Sequence, residues 1–206
     1  MDADWHLLQS VALAALLAWA SGVRLYFVIF AVGLAGRLGY VDLPSGLKVL
    51  EHNWVIGAAG VMLLLEFLVD KVPGVDTVWD FLHTFVRIPA GAFLAAGATS
   101  DQLPALTLAA GIVGGTITAG THFAKAATRA TVNASPEPFS NWGLSFSEDA
   151  LVIAGTWLAF NHPVAFVVAL VLFLVFAVWL LVLLHRALRV AWNSARRKLA
   201  AAPGPG

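Results

Sequence analysis

The sequence predicts an all-α, polytopic membrane protein, and three observations lead to that class. Of the 206 residues, 60% are hydrophobic and only 12% are charged, about half of the charged fraction of a soluble domain. Mean hydropathy is +0.83, so much of the exterior should face lipid. The eight Trp residues suit the two membrane interfaces, where Trp is enriched.

The composition also excludes several classes of function. The chain has no Cys, which rules out disulfides, thiol catalysis and Cys-ligated metal centres. It carries no P-loop, dinucleotide fingerprint, nucleophile elbow or zinc-binding His-Glu-x-x-His pattern, so we expect no cofactor. Net charge is zero and no basic domain stands apart, so we expect no nucleic-acid partner.

Six apolar stretches define the predicted helices. They are residues 7–38, 54–69, 78–98, 104–124, 149–161 and 163–188. A helix needs about 20 residues to cross the hydrocarbon core. The first stretch is too long for one simple crossing and contains Ser21-Gly22 near its middle. The fifth is too short unless it borrows residues from the polar connector 125–147.

Two matched blocks predict an internal duplication. Ser21-Gly22-Val23-Arg24 aligns with Ala119-Gly120-Thr121-His122, and the residues from Glu51 to Ile56 align with those from Glu148 to Ile153. We therefore predict two tandem repeats, 1–98 and 99–192, followed by a basic tail, 193–206. Each repeat would hold one Gly-interrupted segment and two plainer helices.

The relation between the repeats depends on the spans. If every stretch crosses once, the repeats are inverted, as in many secondary transporters, and this is the arrangement that we favour. If 7–38 and 104–124 each dip in and return as re-entrant hairpins, the repeats are parallel. The distribution of Lys and Arg does not decide between the two.

The tail predicts the orientation. It is basic through His185, Arg186, Arg189, Arg196, Arg197 and Lys198. Because Lys and Arg collect on the cytoplasmic side of a membrane protein, we expect a cytoplasmic C-terminus. The same cations should contact anionic lipid headgroups. The sequence leaves open whether the protein is a monomer or a homo-oligomer.

A candidate substrate site follows from the predicted helix breaks. Arg24 lies deep in an apolar stretch, just after Gly22, and a helix restarting there would point free N–H groups at the break. Gly120, Thr121 and His122 repeat the pattern. A cation beside a helix N-terminus favours an anion, so these five residues predict a pocket for an anionic substrate. Alternatively, the two glycines only allow close helix packing.

Two further cations follow in the second half. Lys125 and Arg129 share a helical face with His122. They either extend the same pocket or simply top the helix at the cytoplasmic surface, which is the interpretation that we favour.

The most polar landmark is the segment 66–87. Glu66 and Asp70 lie one turn apart, and Asp76, Asp80, His83 and Arg87 follow on one face after the Pro73-Gly74 turn. Glu66, Asp70 and Asp80 are candidates for coupling to protons or cations. Arg87 is predicted to pair with Glu66 and is a further substrate-binding candidate.

Plainer roles are open for the other acidic residues. Asp76 could cap a helix beginning near Thr77, and Lys71 could pair with Asp70 or Asp76. Glu148 and Asp149 are predicted to open the fifth helix, where acids favour the N-terminus. Asp76 and Asp80 also form an Asp-x-x-x-Asp pair of the kind that holds magnesium in some intramembrane transferases.

These segments resemble a known family. Ser-Gly-Val-Arg at 21–24, Glu-Phe-Leu-Val-Asp-Lys-Val-Pro at 66–73, Val-Asp-Thr-Val-Trp-Asp at 75–80, Arg-Ile-Pro-Ala-Gly at 87–91 and Ala-Gly-Thr-His at 119–122 are similar to the bacterial membrane proteins of DUF4126, a family of unknown function. The resemblance covers about residues 10–190, and the segment 66–91 is its most specific part. It implies a bacterial inner-membrane location and no particular activity. Family members favour Arg-Pro where this chain has Arg87-Ile88-Pro89.

Three functions are therefore carried forward. The leading expectation is a small transporter for an anionic or phosphate-bearing solute or lipid headgroup, coupled to protons or cations. The alternatives are an intramembrane metal-dependent enzyme acting on a lipid, and a non-catalytic scaffold or assembly protein.

Overall fold

The computed structural model describes residues 2–72, 74–133 and 138–200, and within these ranges every element is helical. The elements are α1 (Asp2–Arg37), a 3₁₀ helix (Ser45–Glu51), α2 (Asn53–Val69), α3 (Val75–Ala98), α4 (Pro104–Asn133), α5 (Pro138–Asn161) and α6 (Pro163–Ala200). Four of the described helices are long and apolar enough to cross a membrane. A fifth span is counted if the 3₁₀ helix and α2, which meet at 69°, act as one. The protein is a multi-pass, all-α membrane protein, as predicted.

Three predicted features differ from the structure. The prediction of a connector over residues 125–147 is wrong, because α4 continues to Asn133 and α5 already begins at Pro138. Glu148 and Asp149 therefore lie in the middle of α5, and their predicted role as N-terminal caps is wrong. The predicted break near Gly120 is also wrong, because α4 is unbroken.

Some predictions concern residues that the structure does not describe. Pro73 of the predicted turn and the tail beyond residue 200 lie outside the described residues, and so do the side chains of Arg196, Arg197 and Lys198.

Helix α1 folds back on itself as a hairpin. At Arg24 the backbone leaves the helical region, with φ −143° and ψ 72°. The 36 residues of α1 would put its ends about 54 Å apart in a straight helix. Instead the first part of α1 and the 3₁₀ helix that follows its end both contact the loop between α3 and α4: Gln102 Nε2 donates to Ser10 Oγ at 3.4 Å, and Ser45 Oγ donates to Asp101 Oδ1 at 2.5 Å.

The two arms of the hairpin, residues 2–23 and 25–37, therefore begin and end on the same side of the bundle, which we call the far face. The stretch 7–38 is the re-entrant hairpin of the second alternative, whereas 104–124 spans as in the first. This mixture was not predicted. The tip, Arg24, reaches into the bundle from the far face.

The helices α2 to α6 cross the bundle in alternate directions. Helix α2 starts at the far face, and α3 returns to it. Helix α4 leads away again, and its last turns contact the first half of α5 through the Arg129–Glu148 pair. Helix α6 follows α5 after His162. The N-terminus and the C-terminus consequently lie at opposite ends of the bundle.

Small residues allow α1, α3 and α4 to pack closely. A Cβ atom at Gly22 would overlap Thr121, and a Cβ atom at Gly91 would overlap Thr118. The packing interpretation of Gly22 is thus supported. Gly120 differs, because a Cβ atom there would have no neighbour within 4 Å.

The hairpin lies at the centre of the bundle. In the most apolar 18-residue segment of α1, 67% is buried. In the other three helices that are long and apolar enough to span a membrane, the corresponding share is 17–33%. Trp19 of the first arm packs edge-on against Phe166 and Phe173 of α6, with ring centroids 6.1 and 6.0 Å apart. The other helices surround α1 and expose their outer faces to lipid.

A polar contact between Ser45 and Asp101 lies at the far face. The hydroxyl of Ser45 donates to Asp101, and the Ser45 amide donates to both carboxylate oxygens at 3.2 and 3.3 Å. These hydrogen bonds lower the pKa of the Asp101 carboxyl below its ordinary value. They tie the 3₁₀ helix to the loop between α3 and α4.

Candidate functional site

Ten ionisable side chains from five helices meet around the tip of the hairpin, and we call them the charged cluster. They are Arg24, Glu66, Asp70, Asp76, Asp80, Arg87, Lys125, Arg129, Glu148 and Asp149. All except Asp149 are buried. The cluster holds six carboxylates and four cations, an excess of two negative charges if all are ionised.

Helical spacing explains how so many charges come together. Glu66 and Asp70 end α2, and α3 presents three members at intervals of four and seven residues. Lys125 and Arg129 share one face of α4. Arg87 lies about 18 Å along α3 from its first residue, so the cluster reaches from one end of α3 to about its middle.

Arg24 is held by carboxylates from two helices. Its guanidinium pairs with Asp70 of α2, and on the α5 side its Nε lies 2.8 Å from Asp149 Oδ1. Glu148 is 3.7 Å away, and Arg24 Nη2 donates to Ser145 Oγ at 3.0 Å. A cation at the hairpin tip was predicted, but these acidic partners were not.

Arg87 joins α2, α3 and the hairpin. Its Nη2 lies 2.5 Å from Glu66 Oε1 and 3.4 Å from Asp80 Oδ1. Its Nη1 donates to the carbonyls of Gly22 and Val23 at 3.3 and 3.4 Å. The predicted pair of Glu66 with Arg87 is confirmed.

Lys125 and Arg129 are buried, so the favoured interpretation that they top the helix at the surface is wrong. Lys125 Nζ donates to Val23 O at 2.9 Å and lies 3.3 Å from Asp70 Oδ2. Arg129 Nη2 lies 2.7 Å from Glu148 Oε2 and 3.2 Å from Asp70 Oδ2. Both side chains bridge α2, α4 and α5 because an unpaired cation in an apolar interior is costly.

The broken helix supplies part of this network. The last carbonyls of a helix have no partner within it, and at the tip two of them accept hydrogen bonds from Arg87 and Lys125. Cations are stabilised at the C-terminal end of a helix by its dipole. The basic residues thus meet carbonyls and carboxylates, and an anionic substrate would have to compete with those carboxylates.

His122 and Thr121 lie beside the tip. His122 Nε2 is 2.8 Å from Thr84 Oγ1, and Thr84 donates to the carbonyl of Asp80 at 3.0 Å. The hydroxyl of Thr84 is therefore left to accept from Nε2–H. Thr121 Oγ1 donates to Trp19 O at 3.3 Å. Gly120 takes no part, since it faces open space.

Asp76 stabilises the start of α3. Its Oδ1 accepts from the amides of Gly74 at 2.9 Å and Thr77 at 2.7 Å, and from Asn133 Nδ2 at 2.8 Å. Helix α3 begins one residue before Asp76, so Asp76 caps the backbone amides as predicted, but from a position within the first turn. Asp76 also lies 3.4 Å from Arg129 Nη1.

The Asp-x-x-x-Asp pair does not converge on one point. Asp76 contacts Arg129, whereas Asp80 contacts Arg87. His83 stacks on Trp79 with ring centroids 3.9 Å apart. Within the part of the chain that the structure describes, no three His, Asp or Glu side chains are placed to hold a metal ion.

Lys71 lies at the edge of the cluster. Its predicted pairing with Asp70 or Asp76 is wrong, because Asp70 turns inward to Arg24. Lys71 Nζ instead donates to Phe67 O at 3.2 Å and lies 3.0 Å from the centroid of the Phe67 ring.

Four polar residues of the site were not predicted: Thr84, Asn133, Asn141 and Ser145. Asn141 Oδ1 lies 3.5 Å from Arg129 Nη1, next to the Glu148 contact. For Asn133, Asn141 and Ser145, the length of the predicted connector 125–147 was the signal that this segment is helical, because structureless loops longer than about 15 residues are uncommon.

One cavity adjoins the cluster. It lies between α4, α5 and α6, has a volume of about 190 Å³, and is lined in part by Trp19, Thr121, Lys125 and Glu148. It gives the Lys125–Glu148 contact, at 3.5 Å, an opening on its side.

Comparisons with known proteins give the family and no relative of known activity. Neither the curated proteins nor the solved structures contain a match to the chain. Residues 11–182 match the family described as "Domain of unknown function (DUF4126)", which confirms the resemblance carried by the segments around Arg24 and Arg87. The chain therefore belongs to the DUF4126 family.

Proposed function

We propose that the protein is a transporter in the bacterial inner membrane, which carries an anionic or phosphate-bearing solute or lipid headgroup and is coupled to protons or another cation. The observation that carries this proposal is the charged cluster. Nine of its ten ionisable side chains are buried inside helices that face lipid. Such residues are costly in a membrane and mark substrate and ion pathways.

The pairing within the cluster supports coupled transport. An anionic group that reaches Lys125 through the adjoining cavity competes with Glu148 for the ammonium group. A carboxylate that loses its cationic partner in a buried site takes up a proton more readily. Binding of the anion and uptake of the proton are then linked. In this scheme the other substrate-binding residues are Arg24, Arg87, Thr121 and His122.

Glu66, Asp70 and Asp80 are the coupling residues in the same scheme. Each lies within 4.0 Å of Lys125, so a change in the partners of Lys125 alters the electrostatic field at all three. Gly22 contributes by packing α1 against α4.

The inverted repeat remains part of this proposal, and one of its two matched blocks supports it. The block that begins at Glu51 and Glu148 falls mainly on α2 and α5, which run in opposite directions across the bundle. The block at 21–24 and 119–122 falls on the first arm of α1 and on α4, which both lead away from the far face. The charge distribution supports a cytoplasmic C-terminus: Arg186 and Arg189 follow the last span, whereas Lys48 at the far face is paired with Asp42 at 2.8 Å. The basic tail would then contact anionic headgroups.

A transport assay tests the proposal. Proteoliposomes enclosing a pH-sensitive dye would receive gradients of inorganic phosphate, sulfate or glycerol phosphate, and labelled phosphatidylglycerol would test the lipid headgroup. We expect one of these probes to drive a proton movement that Lys125→Gln reduces at least tenfold. The variant Lys48→Gln, at the far face, should behave as wild type. Proton movement with none of the probes would overturn the carrier proposal and favour the scaffold.

A further inference from the structure

Asp80 differs from the other buried carboxylates of the charged cluster. It is 2% exposed, yet neither of its oxygens has a hydrogen-bond partner among the described residues. The other four buried carboxylates each accept at least one hydrogen bond: Glu66, Asp70, Asp76 and Glu148. Asp80 is the least satisfied acceptor in the cluster.

The cations near Asp80 are engaged elsewhere. Arg87 Nη2 lies 3.4 Å and Lys125 Nζ 4.0 Å from Asp80 Oδ1. Arg87 is closer to Glu66, at 2.5 Å, and Lys125 is closer to Asp70, at 3.3 Å. Both contacts are on the Oδ1 side of the carboxyl group.

The charged and titratable groups next to Asp80 come from α2, α3 and α4. They are Glu66, which shares Arg87 with Asp80, together with Arg87, His122, Lys125 and Arg129. Arg24 of α1 and Glu148 of α5 contact other members of the cluster. Arg24 and Arg129 bind other carboxylates directly. The environment therefore offers Asp80 no cation of its own.

The charge balance of the buried residues points the same way. The buried members of the cluster are five carboxylates and four cations, and Asp149, the sixth carboxylate, is 29% exposed. If one buried carboxyl group is neutral, the buried charges balance at four of each sign. A neutral acid without a strong partner is far less costly in an apolar interior than an ionised one, so the neutral group should be the unsatisfied one.

We infer that Asp80 is the site that binds and releases the coupling proton. The proton adds to Oδ2, the carboxyl oxygen away from Arg87 and Lys125, and converts the carboxylate into a neutral acid; release restores the negative charge. Before an anion binds, the other buried carboxylates are ionised and paired, and Glu66 and Asp70 act on this proton through Arg87 and Lys125, the cations that they share with Asp80. This inference rests on the proposed function in naming the coupled ion as the proton, and the binding of the proton itself can be measured without transport.

Infrared difference spectroscopy on the full chain in lipid nanodiscs, with the proton as the only ligand, tests it. At neutral pH we expect the carbonyl band of a protonated carboxylic acid, which disappears reversibly on raising the pH. The band should be absent in Asp80→Asn and shifted in Asp80→Glu. It should persist in Asp42→Asn, whose carboxylate is exposed at the far face.

Each outcome decides the matter. A band that persists in Asp80→Asn, or a wild-type protein without any such band, overturns the inference. If Asp80→Asn does not fold, a shifted band in Asp80→Glu supports it and an unshifted band overturns it. A titrating band in a protein for which none of the transport probes drives proton movement upholds the proton site and refutes the carrier. If no band is seen and proton movement is unchanged in Asp80→Glu, the carrier is upheld and the proton site at Asp80 is refuted.

Discussion

Replacing Arg87 with Gln should destabilise the fold more than replacing Glu66 with Gln, although the two residues form one buried ion pair. The reason lies in what each change leaves behind. Without Glu66, Arg87 keeps Asp80 at 3.4 Å and the carbonyl of Gly22 at 3.3 Å. Without Arg87, Glu66 and the carbonyl of Gly22 lose their donor, and only Lys125, which already donates to the carbonyl of Val23, remains nearby at 3.9 Å from Glu66.

These contacts set the expected magnitudes. Removing one partner of a buried ion pair costs about 3–5 kcal/mol. We place Glu66→Gln at the lower end, about 3 kcal/mol, because Arg87 keeps other acceptors. We place Arg87→Gln at the upper end, about 5 kcal/mol. The double variant leaves neither charge unpaired and should cost about 2–3 kcal/mol less than the sum of the single variants.

Reversible unfolding in mixed detergent micelles measures these free energies, and each variant is compared with the wild type in the same micelle. Lys48→Gln serves as the control, because Lys48 forms an exposed pair with Asp42 and exposed pairs contribute little. Additive single and double variants would show that Arg87 and Glu66 are not coupled. An Arg87→Gln variant as stable as Lys48→Gln would refute the role of Arg87 at the hairpin tip.

Three other predictions follow from the fold. Reporters fused to the N-terminus and inserted at Ser45 should lie on the same side of the membrane, opposite to one at the C-terminus; an N-terminal reporter on the C-terminal side would refute the hairpin. Gly22→Ala should lower thermal stability, because the new methyl group meets Thr121, whereas Gly120→Ala should leave it unchanged or raise it, by up to about 1 kcal/mol. In a Ser45→Ala variant the pKa of Asp101 should rise toward its ordinary value, because the hydroxyl donor is lost while the Ser45 amide remains, as carbon-13 NMR titration can show. Because the pKa of Asp101 is lowered in the folded protein, its carboxylate contributes to the stability of the fold above the unfolded-state pKa. That contribution is lost as the pH falls through the folded-state pKa.

The hydropathy pattern predicts the helices well because each apolar run must satisfy its backbone within itself. The starts of α2, α4 and α6 agree with the predicted stretches to within one residue. Hydropathy does not predict whether a long run crosses or returns, since both arms of a hairpin are as apolar as one span. The break was predicted near Gly22, but it lies at Arg24, and Gly22 is needed for contact with Thr121.

The candidate site was predicted only in part, for a related reason. The Glu66–Arg87 pair could be recognised because both residues lie in one short segment. Lys125 was predicted to lie at the surface end of a helix and Glu148 at the start of one, because each borders an apolar stretch. The partners in this site are distant in the sequence and close only in the fold. Asp70 is 55 positions from Lys125, and Arg24 is 121 positions from Ser145, so no local sequence pattern indicates such pairing.

The hairpin also sets an order of events during synthesis of the chain. Its exposed tip, with Arg24 and the free carbonyl of Val23, finds its partners only in α2 to α5, which leave the ribosome later. Until then, a bare cation and unpaired carbonyls in lipid are unfavourable. We expect α1 to remain near the membrane surface at first and to enter the bundle after α4 and α5 have inserted. Helix α1, which is made before the helices that hold it, would then be among the last to reach its place.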